Sequence, residues 1–360
     1  YNFKANFGHT RGYEDIQLNK KKNINYLFSE YNLDLDLRNF DSSKMYLKIQ
    51  KVTNDTFLKI FENNFLDNST ALKPNNNDTM NSQVRFVLNN KDYNVTTGFV
   101  ANESLDKINS DRYQYVLPYY DFNSNLFTDL KIGSVNLNSN GSNQLSNTNN
   151  LKSQIINNIS FTSLDWISNK GIKTNYNANF KNLNSIGKNV ENYKNSPQIE
   201  FASIFEINST YPLRKDTLKS ENYLTPKISF RLNPGDMKNH GSANRTINID
   251  NIFSVNRLGF GDSFEAGRSV TMGLEYKREL LKDMNKYFEV KLASVFRDKE
   301  EKFLPKKTTL DKKTSNLFGS ISNNYSKYLN IEYNFALDNN LDELEYNEIN
   351  ASLYLNNLVT

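Results

Sequence analysis

The sequence has no cysteine, one tryptophan and only two histidines in 360 residues. Without cysteine there is no disulfide frame and no thiolate metal site. With histidine limited to His9 and His240, a metal site has to be built from carboxylates. The acidic group Asp338, Asp342, Glu343 and Glu345 lacks the ligand spacing of a calcium loop and reads as a solvated turn. Apolar residues make up 37% of the chain, below the roughly 45–50% usual for soluble domains. No run of about 18 apolar residues occurs, so no transmembrane helix is expected; short alternating strands escape that criterion. The net charge of +4 is small and spread along the chain. No basic face is interleaved with aromatics, which argues against a nucleic-acid partner. Gly259-Phe260-Gly261 follows no buried strand and opens no helix, so it is not a phosphate cradle. Ser242 stands near His240, but a nucleophile triad is a spatial arrangement that sequence does not show. The reading is therefore of a protein without catalytic, cofactor or metal residues, and not an enzyme.

What the chain does have is aromatic residues, 21 Tyr and 24 Phe, in an otherwise polar sequence. Asn is the commonest polar residue, about one in six, and coding bias accounts for it. None of the Asn-x-Ser/Thr triplets, such as Asn94-Val95-Thr96, is read as a glycosylation site. The dominant pattern has a period of two. Leu224, Pro226, Ile228, Phe230 and Leu232 alternate with Thr225, Lys227, Ser229 and Arg231. Val270, Met272, Leu274 and Tyr276 alternate with Thr271, Gly273, Glu275 and Lys277. The same division recurs at Tyr31–Arg38, at Ile172–Lys181 and at Lys327–Leu337. Successive strand side chains point to opposite faces, so each segment has one apolar and one wet side. The segments are close to the ~9–11 residues that cross a bilayer at a tilt, longer than the ~5–6 typical of sandwich strands. The expected fold is all-β, a transmembrane antiparallel β-barrel with about 16 strands present of a larger barrel, Tyr1–Gly8 counting as a partial strand.

Connections are expected to alternate in length. Short ones fall near Asn39–Ser43, Asn89–Lys91, Asp121–Asn125 and Asp165–Lys170; long ones fall at Asn54–Ser82, Asn102–Asp111, Asn138–Asn150 and Asn184–Ser196. Keeping that parity requires Asn233–Arg268 to be one long excursion with no strand inside it. The Asn- and Ser-rich Asn138–Asn150 and the Lys-rich Arg297–Lys313 read as solvated loops. Trp166, Tyr119, Tyr120 and Phe122 are expected at strand ends beside short turns, as an aromatic girdle on the periplasmic side.

The excursion also carries a resemblance. Asn251-Ile252-Phe253-Ser254-Val255-Asn256-Arg257-Leu258-Gly259 is followed by Asp262-Ser263-Phe264-Glu265-Ala266-Gly267-Arg268 and a strand ending Gly273-Leu274-Glu275-Tyr276. This order is similar to that of the LptD family, the lipopolysaccharide-assembly barrels also called organic solvent tolerance proteins. Leu224-Thr225-Pro226-Lys227 and Tyr115-Val116-Leu117-Pro118 resemble further family segments. Asn251, Phe253, Asn256, Arg257, Gly259, Asp262, Glu265 and Gly267 are the residues that carry the match. Within the loop, Arg257 is placed to pair with Asp262 or Glu265, and Gly259, Gly261 and Gly267 permit tight turns.

The resemblance implies lipopolysaccharide assembly into the outer leaflet of the Gram-negative outer membrane, in an integral cell-outer-membrane protein. It implies lipopolysaccharide as cargo, a plugging lipoprotein like LptE, and a periplasmic bridge like LptA that meets an N-terminal domain. The family's N-terminal jellyroll and C-terminal closing strands are not recognised here, so residues 1–360 are read as one partial outer-membrane β-barrel domain. Lys173, Lys181, Lys227 and Arg231 fall on the wet side of their strands and are candidate contacts to lipid phosphates. A general diffusion porin is the alternative, although no loop displays the facing acidic and basic ladders of a porin constriction.

Overall fold

A computed structural model describes residues 1–10, 14–15, 20–21, 23–60, 72–190, 193–326 and 329–353. It is almost entirely β, with 18 strands in one sheet. Two of these are short. Trp166–Ile167 extends the Asn150–Ser163 strand along the edge of Lys173–Lys188, and Leu213–Asp216 extends Gln198–Thr210 along Ser220–Asn233. Counted with their parent strands, 16 ribbons remain, which agrees with the sequence expectation. A further two-residue pair, Glu14–Asp15 with Lys20–Lys21, stands apart from the sheet. No helix among the described residues is long and apolar enough to cross a membrane.

The ladders are antiparallel between chain neighbours. In the first part of the chain Asn2–Thr10 pairs with Ile24–Asp34, then Ser42–Val52, Thr79–Asn89, Tyr93–Ser104 and Tyr113–Asp129 follow in turn. In the last part Ser220–Asn233, Gly267–Leu280, Asp283–Arg297, Leu317–Ser326, Leu329–Leu337 and Leu344–Leu353 do the same. By contacts the chain divides into two compact units. The first is Tyr1–Phe127, Asn136–Ile159 and Asn182–Glu200; the second is Thr128–Val135, Ser160–Lys181 and Phe201–Thr360.

The connections at one end of the strands are short, from the tight turns at Asn89–Tyr93, Asp129–Gly133, Asp216–Ser220 and Leu280–Asp283 to the longer Asp34–Ser42. The long connections, Val52–Thr79, Ser104–Tyr113, Lys188–Gln198, Asn233–Gly267 and Arg297–Leu317, all fall at the other end. The predicted parity fails at one point, where the expected long connection Asn138–Asn150 is a three-residue turn between Ser146 and Asn150; residues 234–266 form no strand, as expected. The Lys327–Tyr328 start of one predicted segment lies outside the described residues.

Three local expectations are corrected. Asp121–Asn125 is not a turn but the middle of Tyr113–Asp129, and the turn falls after Asp129. Tyr119, Tyr120 and Phe122 are thus mid-strand rather than a girdle beside a turn; Trp166 alone lies next to one, and it is exposed. Asn138–Ser146 is strand, not solvated loop. The physical reason is that Asn side chains on neighbouring strands satisfy one another. Asn138 Nδ2 donates to Asn123 Oδ1 at 2.5 Å, Asn125 Nδ2 to Asn136 Oδ1 at 3.0 Å and Asn157 Nδ2 to Asn182 Oδ1 at 3.1 Å. Low β-propensity is offset by an amide ladder, a cross-strand term that one sequence window does not contain.

The third correction concerns Arg297–Lys313. This Lys-rich stretch buries Leu304 and Leu310 completely. They pack with Ile247, Ile252, Leu258 and Phe260 of the excursion and with Ala293, Val295 and Phe318 of the sheet. The main apolar core of the second unit therefore lies between two connecting segments and the wet face of the sheet. On the opposite face Leu224, Ile228, Phe230, Met272 and Leu274 are exposed. A soluble sheet would cover that apolar face; a sheet standing in lipid leaves it bare.

Candidate functional site

The site is the contact between the excursion, residues 234–266, and the wall that it folds against. Arg231 sits on the wet phase of Ser220–Asn233, Glu206 on that of Gln198–Thr210, and Ser269 and Thr271 on that of Gly267–Leu280. Arg297 closes the set at the end of Asp283–Arg297, opposite Ser269 in the ladder. The excursion adds Arg257 and Glu265. All five charged side chains are buried, with Arg231 and Glu206 at 2% exposure each.

Glu265 is the hub. Arg257 grips it with two parallel bonds, Nε to Oε2 at 2.7 Å and Nη2 to Oε1 at 2.5 Å. Arg297 donates Nη1 to the same carboxylate and Nη2 to the Ala266 carbonyl, the latter at 2.5 Å. Arg257 also reaches the wall through Nη1 to Thr271 Oγ1 at 3.1 Å and Nη2 to Ser269 Oγ at 3.3 Å. Arg231 donates Nη2 to Glu206 Oε2 and to the Ser254 carbonyl, both at 2.6 Å. Bidentate guanidinium–carboxylate pairs of this kind fix orientation as well as energy. Of the two partners foreseen for Arg257 the structure selects Glu265; Asp262 lies 3.2 Å from His240 Nε2 instead.

Three arginines face two glutamates, so the cluster carries one excess positive charge. Burial and these charges together set both shifts in the loop. Burial opposes ionisation of Glu265, yet Arg257 and Arg297 pull its carboxyl down to about 2. Burial, with Arg231 and Arg297 as like-charged neighbours, pushes Arg257 down to about 10 against the pull of Glu265. Both stay charged at neutral pH. Because the folded carboxyl lies below its ordinary value of 4.5, docking of the excursion is favoured above that pH. The contribution drains away as pH falls from there toward about 2. Protease nicking within residues 234–266 is expected to rise across that window before the sheet itself unfolds; equal protection at pH 7 and pH 3 would contradict the assignment.

The other motif residues serve the same docking. Asn251 Oδ1 accepts from the Asn248 N–H at 2.9 Å, and Asn256 Nδ2 donates to the Phe260 carbonyl at 3.1 Å. Phe253 lies over Gly273, where a Cβ would stand 2.7 Å from the ring. Gly259 and Gly267 have φ of 64° and 81°, a region costly to other residues. Gly261 turns without a left-handed φ.

The four predicted wall cations have different fates. Lys181 is buried and donates to the carbonyls of Gly261 at 2.8 Å and Phe260 at 3.2 Å, with its ammonium over the Phe264 ring. Lys227 donates to Glu275 at 2.5 Å and lines a cavity of about 330 Å³ beneath the excursion, shared with Asn208, Phe253 and Lys291. Arg231 belongs to the buried cluster, but its Nε and Nη1 make no hydrogen bond. Lys173 is exposed near the tight-turn end of its strand.

The sequence reading missed Glu206 and Arg297. Each occupies the wet phase beside outward apolar neighbours, Phe205 and Ile207 in one case and Phe296 in the other. That phase was the available signal; their distance in sequence from Glu265 hid the pairing. His240, Ser263 and Asp262 also meet, with His240 Nε2 3.1 Å from Ser263 Oγ. Serine and aspartate share one ring nitrogen, whereas a hydrolytic triad needs the carboxylate on the other. No group of three metal-ligating side chains occurs among the described residues.

A two-faced antiparallel wall, bare and apolar outside and carrying a folded plug on its wet face, defines an outer-membrane type of β-barrel. The family model for LptD, the LPS transport system D, matches residues 41–357, and the chain belongs to that family. The family transports and assembles lipopolysaccharide and is not an enzyme family. No curated protein matched the chain.

Proposed function

We propose that this chain forms the wall through which lipopolysaccharide is placed in the outer leaflet of the Gram-negative outer membrane. The observation that carries the reading is the inward-folded excursion, pinned to the wet face by Arg257, Glu265, Arg297, Arg231 and Glu206. A wall with a latched plug suits intermittent passage of a large amphiphile. A diffusion porin instead displays its constriction charges to water, and here they are spent on one another. The lipid's acyl chains stay on the apolar side of the wall while its sugars and phosphates move along the wet side.

Lys173 and Lys227 offer cations to the phosphates directly. Lys181 and Arg231 do so once the excursion lifts, Arg231 having donors to spare. An LptE-like lipoprotein would occupy the remaining wet interior, and an LptA-like bridge would deliver the lipid through a periplasmic domain. This calls for an integral protein of the cell outer membrane.

A photocrosslinker at Lys227 is expected to capture lipopolysaccharide in growing cells, and depletion of the protein to strand newly made lipopolysaccharide at the inner membrane. Charge reversal at Lys173 and Lys227 together is expected to reduce capture at neighbouring wet-face positions. Normal surface delivery of lipopolysaccharide in depleted cells would refute the function.

A further inference from the structure

Away from the plug, the lipid-facing side of the first unit has a recess. Tyr120, Gly141, Ser153, Ile155, Ile186 and Ile199 line a cavity of about 420 Å³. Its origin is local. Gly141 has no side chain, so the Tyr120 ring lies across its backbone, and a Cβ there would collide with that ring. Ser153 leaves the next strand equally thin. The face is fixed by alternation along Lys173–Lys188: Lys181, Leu183 and Ser185 are buried on the wet side, so Asn182, Asn184 and Ile186 point outward.

Tyr120, Ser139, Asn157, Asn182 and Asn184 on this outward face bond one another. The Tyr120 hydroxyl lies 3.2 Å from Ser139 Oγ, and Ser139 Oγ donates to Asn157 Oδ1 at 2.7 Å. Asn157 and Asn184 both donate to Asn182 Oδ1, at 3.1 and 2.6 Å. What the recess presents is therefore mainly apolar, flanked by the exposed Ile155 and Ile199.

Its level in the wall is equally informative. Gly141, Ser153, Ile186 and Ile199 all lie within about five residues of the strand ends at Ser146, Asn150, Lys188 and Gln198, where the long connection is Lys188–Gln198, or roughly 15 Å of strand. Long connections face outward in such barrels, so the recess opens at the depth of the outer leaflet. Lys188 lies two positions beyond Ile186 on the same face, at the strand end, and Lys194 follows in the connection; both are exposed. An apolar slot with two exposed lysines at the adjoining strand end and connection complements a lipid with a phosphorylated head.

We propose that this recess seats an acyl chain of lipopolysaccharide already delivered to the outer leaflet, with Lys188 and Lys194 meeting its phosphates. It would hold product lipid against the wall beside the outlet. The proposal rests on the outer-membrane placement in the preceding reading.

The test places p-benzoylphenylalanine at Ile155, at Ile199, at the outward control Leu274 and at Lys227 on the wet face, in otherwise intact protein in native membranes. Lipopolysaccharide adducts at Ile155 and Ile199 are expected to exceed those at Leu274 several-fold. Ser153→Leu, which fills the slot, and the pair Lys188→Glu with Lys194→Glu are each expected to bring Ile199 down to the Leu274 level. Heat-modifiable migration verifies that each variant folds, and the Lys188/Lys194 pair, being exposed, serves if Ser153→Leu does not.

Equal adducts at all outward positions, or adducts made of glycerophospholipid, would overturn the recess. Adducts at Lys227 would still be seen in that case if transport is right. Their absence at Lys227 with enrichment at Ile155 would sink transport and leave the recess standing.

Discussion

Replacing Glu265 with alanine is expected to release the excursion from the wall while the sheet persists. The substitution leaves Arg257, Arg297 and Arg231 facing one another with Glu206 as the sole remaining carboxylate. Breaking one partner out of a buried ion pair typically costs about 3–5 kcal/mol, because the remaining charge stays desolvated. That is on the order of a hundred- to several-thousand-fold in the docking equilibrium. The loss falls on the excursion because Glu265 and Arg257 both belong to it, whereas the strands on either side keep their own ladders. Three measurements report it: protease cleavage between residues 234 and 266, single-channel conductance of the reconstituted protein, and sensitivity of cells to antibiotics too large for porins. Glu265→Gln keeps an acceptor oxygen and loses the charge, so its effect should be intermediate. Unchanged protection and a closed channel in Glu265→Ala would show that the apolar packing of Ile252, Leu258 and Phe260 holds the plug alone.

Gly273→Ala is expected to lift the same excursion by steric means. A Cβ at this position meets the Phe253 ring at 2.7 and 2.9 Å and the Leu292 carbonyl at 3.0 Å. Strand geometry fixes the backbone on both sides, since Gly273 pairs with Lys227 on one neighbour and Ala293 on the other. The ring therefore has to move. Overpacking of this kind costs about 1–3 kcal/mol. Phe253→Leu shortens the side chain at the point of collision and is expected to restore docking in the double variant, a coupling that a double-mutant cycle measures directly. If Gly273→Ala is as well protected from protease as the parent, Phe253 is not a support of the plug. The two perturbations are distinguishable by pH. The Gly273 variant retains the Glu265 carboxyl and should keep the acid-dependent release, whereas Glu265→Ala should lose it.

Much of this was legible in the sequence. Leu224 to Leu232 alternate as the bare apolar side of a real strand, and Arg231 does face the wet side. The length parity of the connections locates the excursion in the sequence itself, because a strand within it would put long loops at both ends. The Asn251–Gly267 run was recognisable by its order. Harder to read were the places where a partner strand overrides local preference. Asn138–Asn150 reads as loop because Asn and Ser favour turns. It forms strand because Asn123 and Asn158, on the neighbouring strands, bond Asn138. Arg297–Lys313 reads as solvent-exposed because its lysines outnumber its apolar residues. It folds inward because Leu304 and Leu310 meet Ile252 and Leu258 from another connection.

The sequence by itself determined the two-faced character of the wall and its strand count, since a period of two is a property of consecutive residues. Tertiary structure alone decided which charges meet, because Glu206, Arg231, Glu265 and Arg297 come from four separate stretches of chain. A buried guanidinium is tolerable only where a carboxylate is brought to it. That condition is set by how the excursion folds back on the strands, not by any neighbour in sequence.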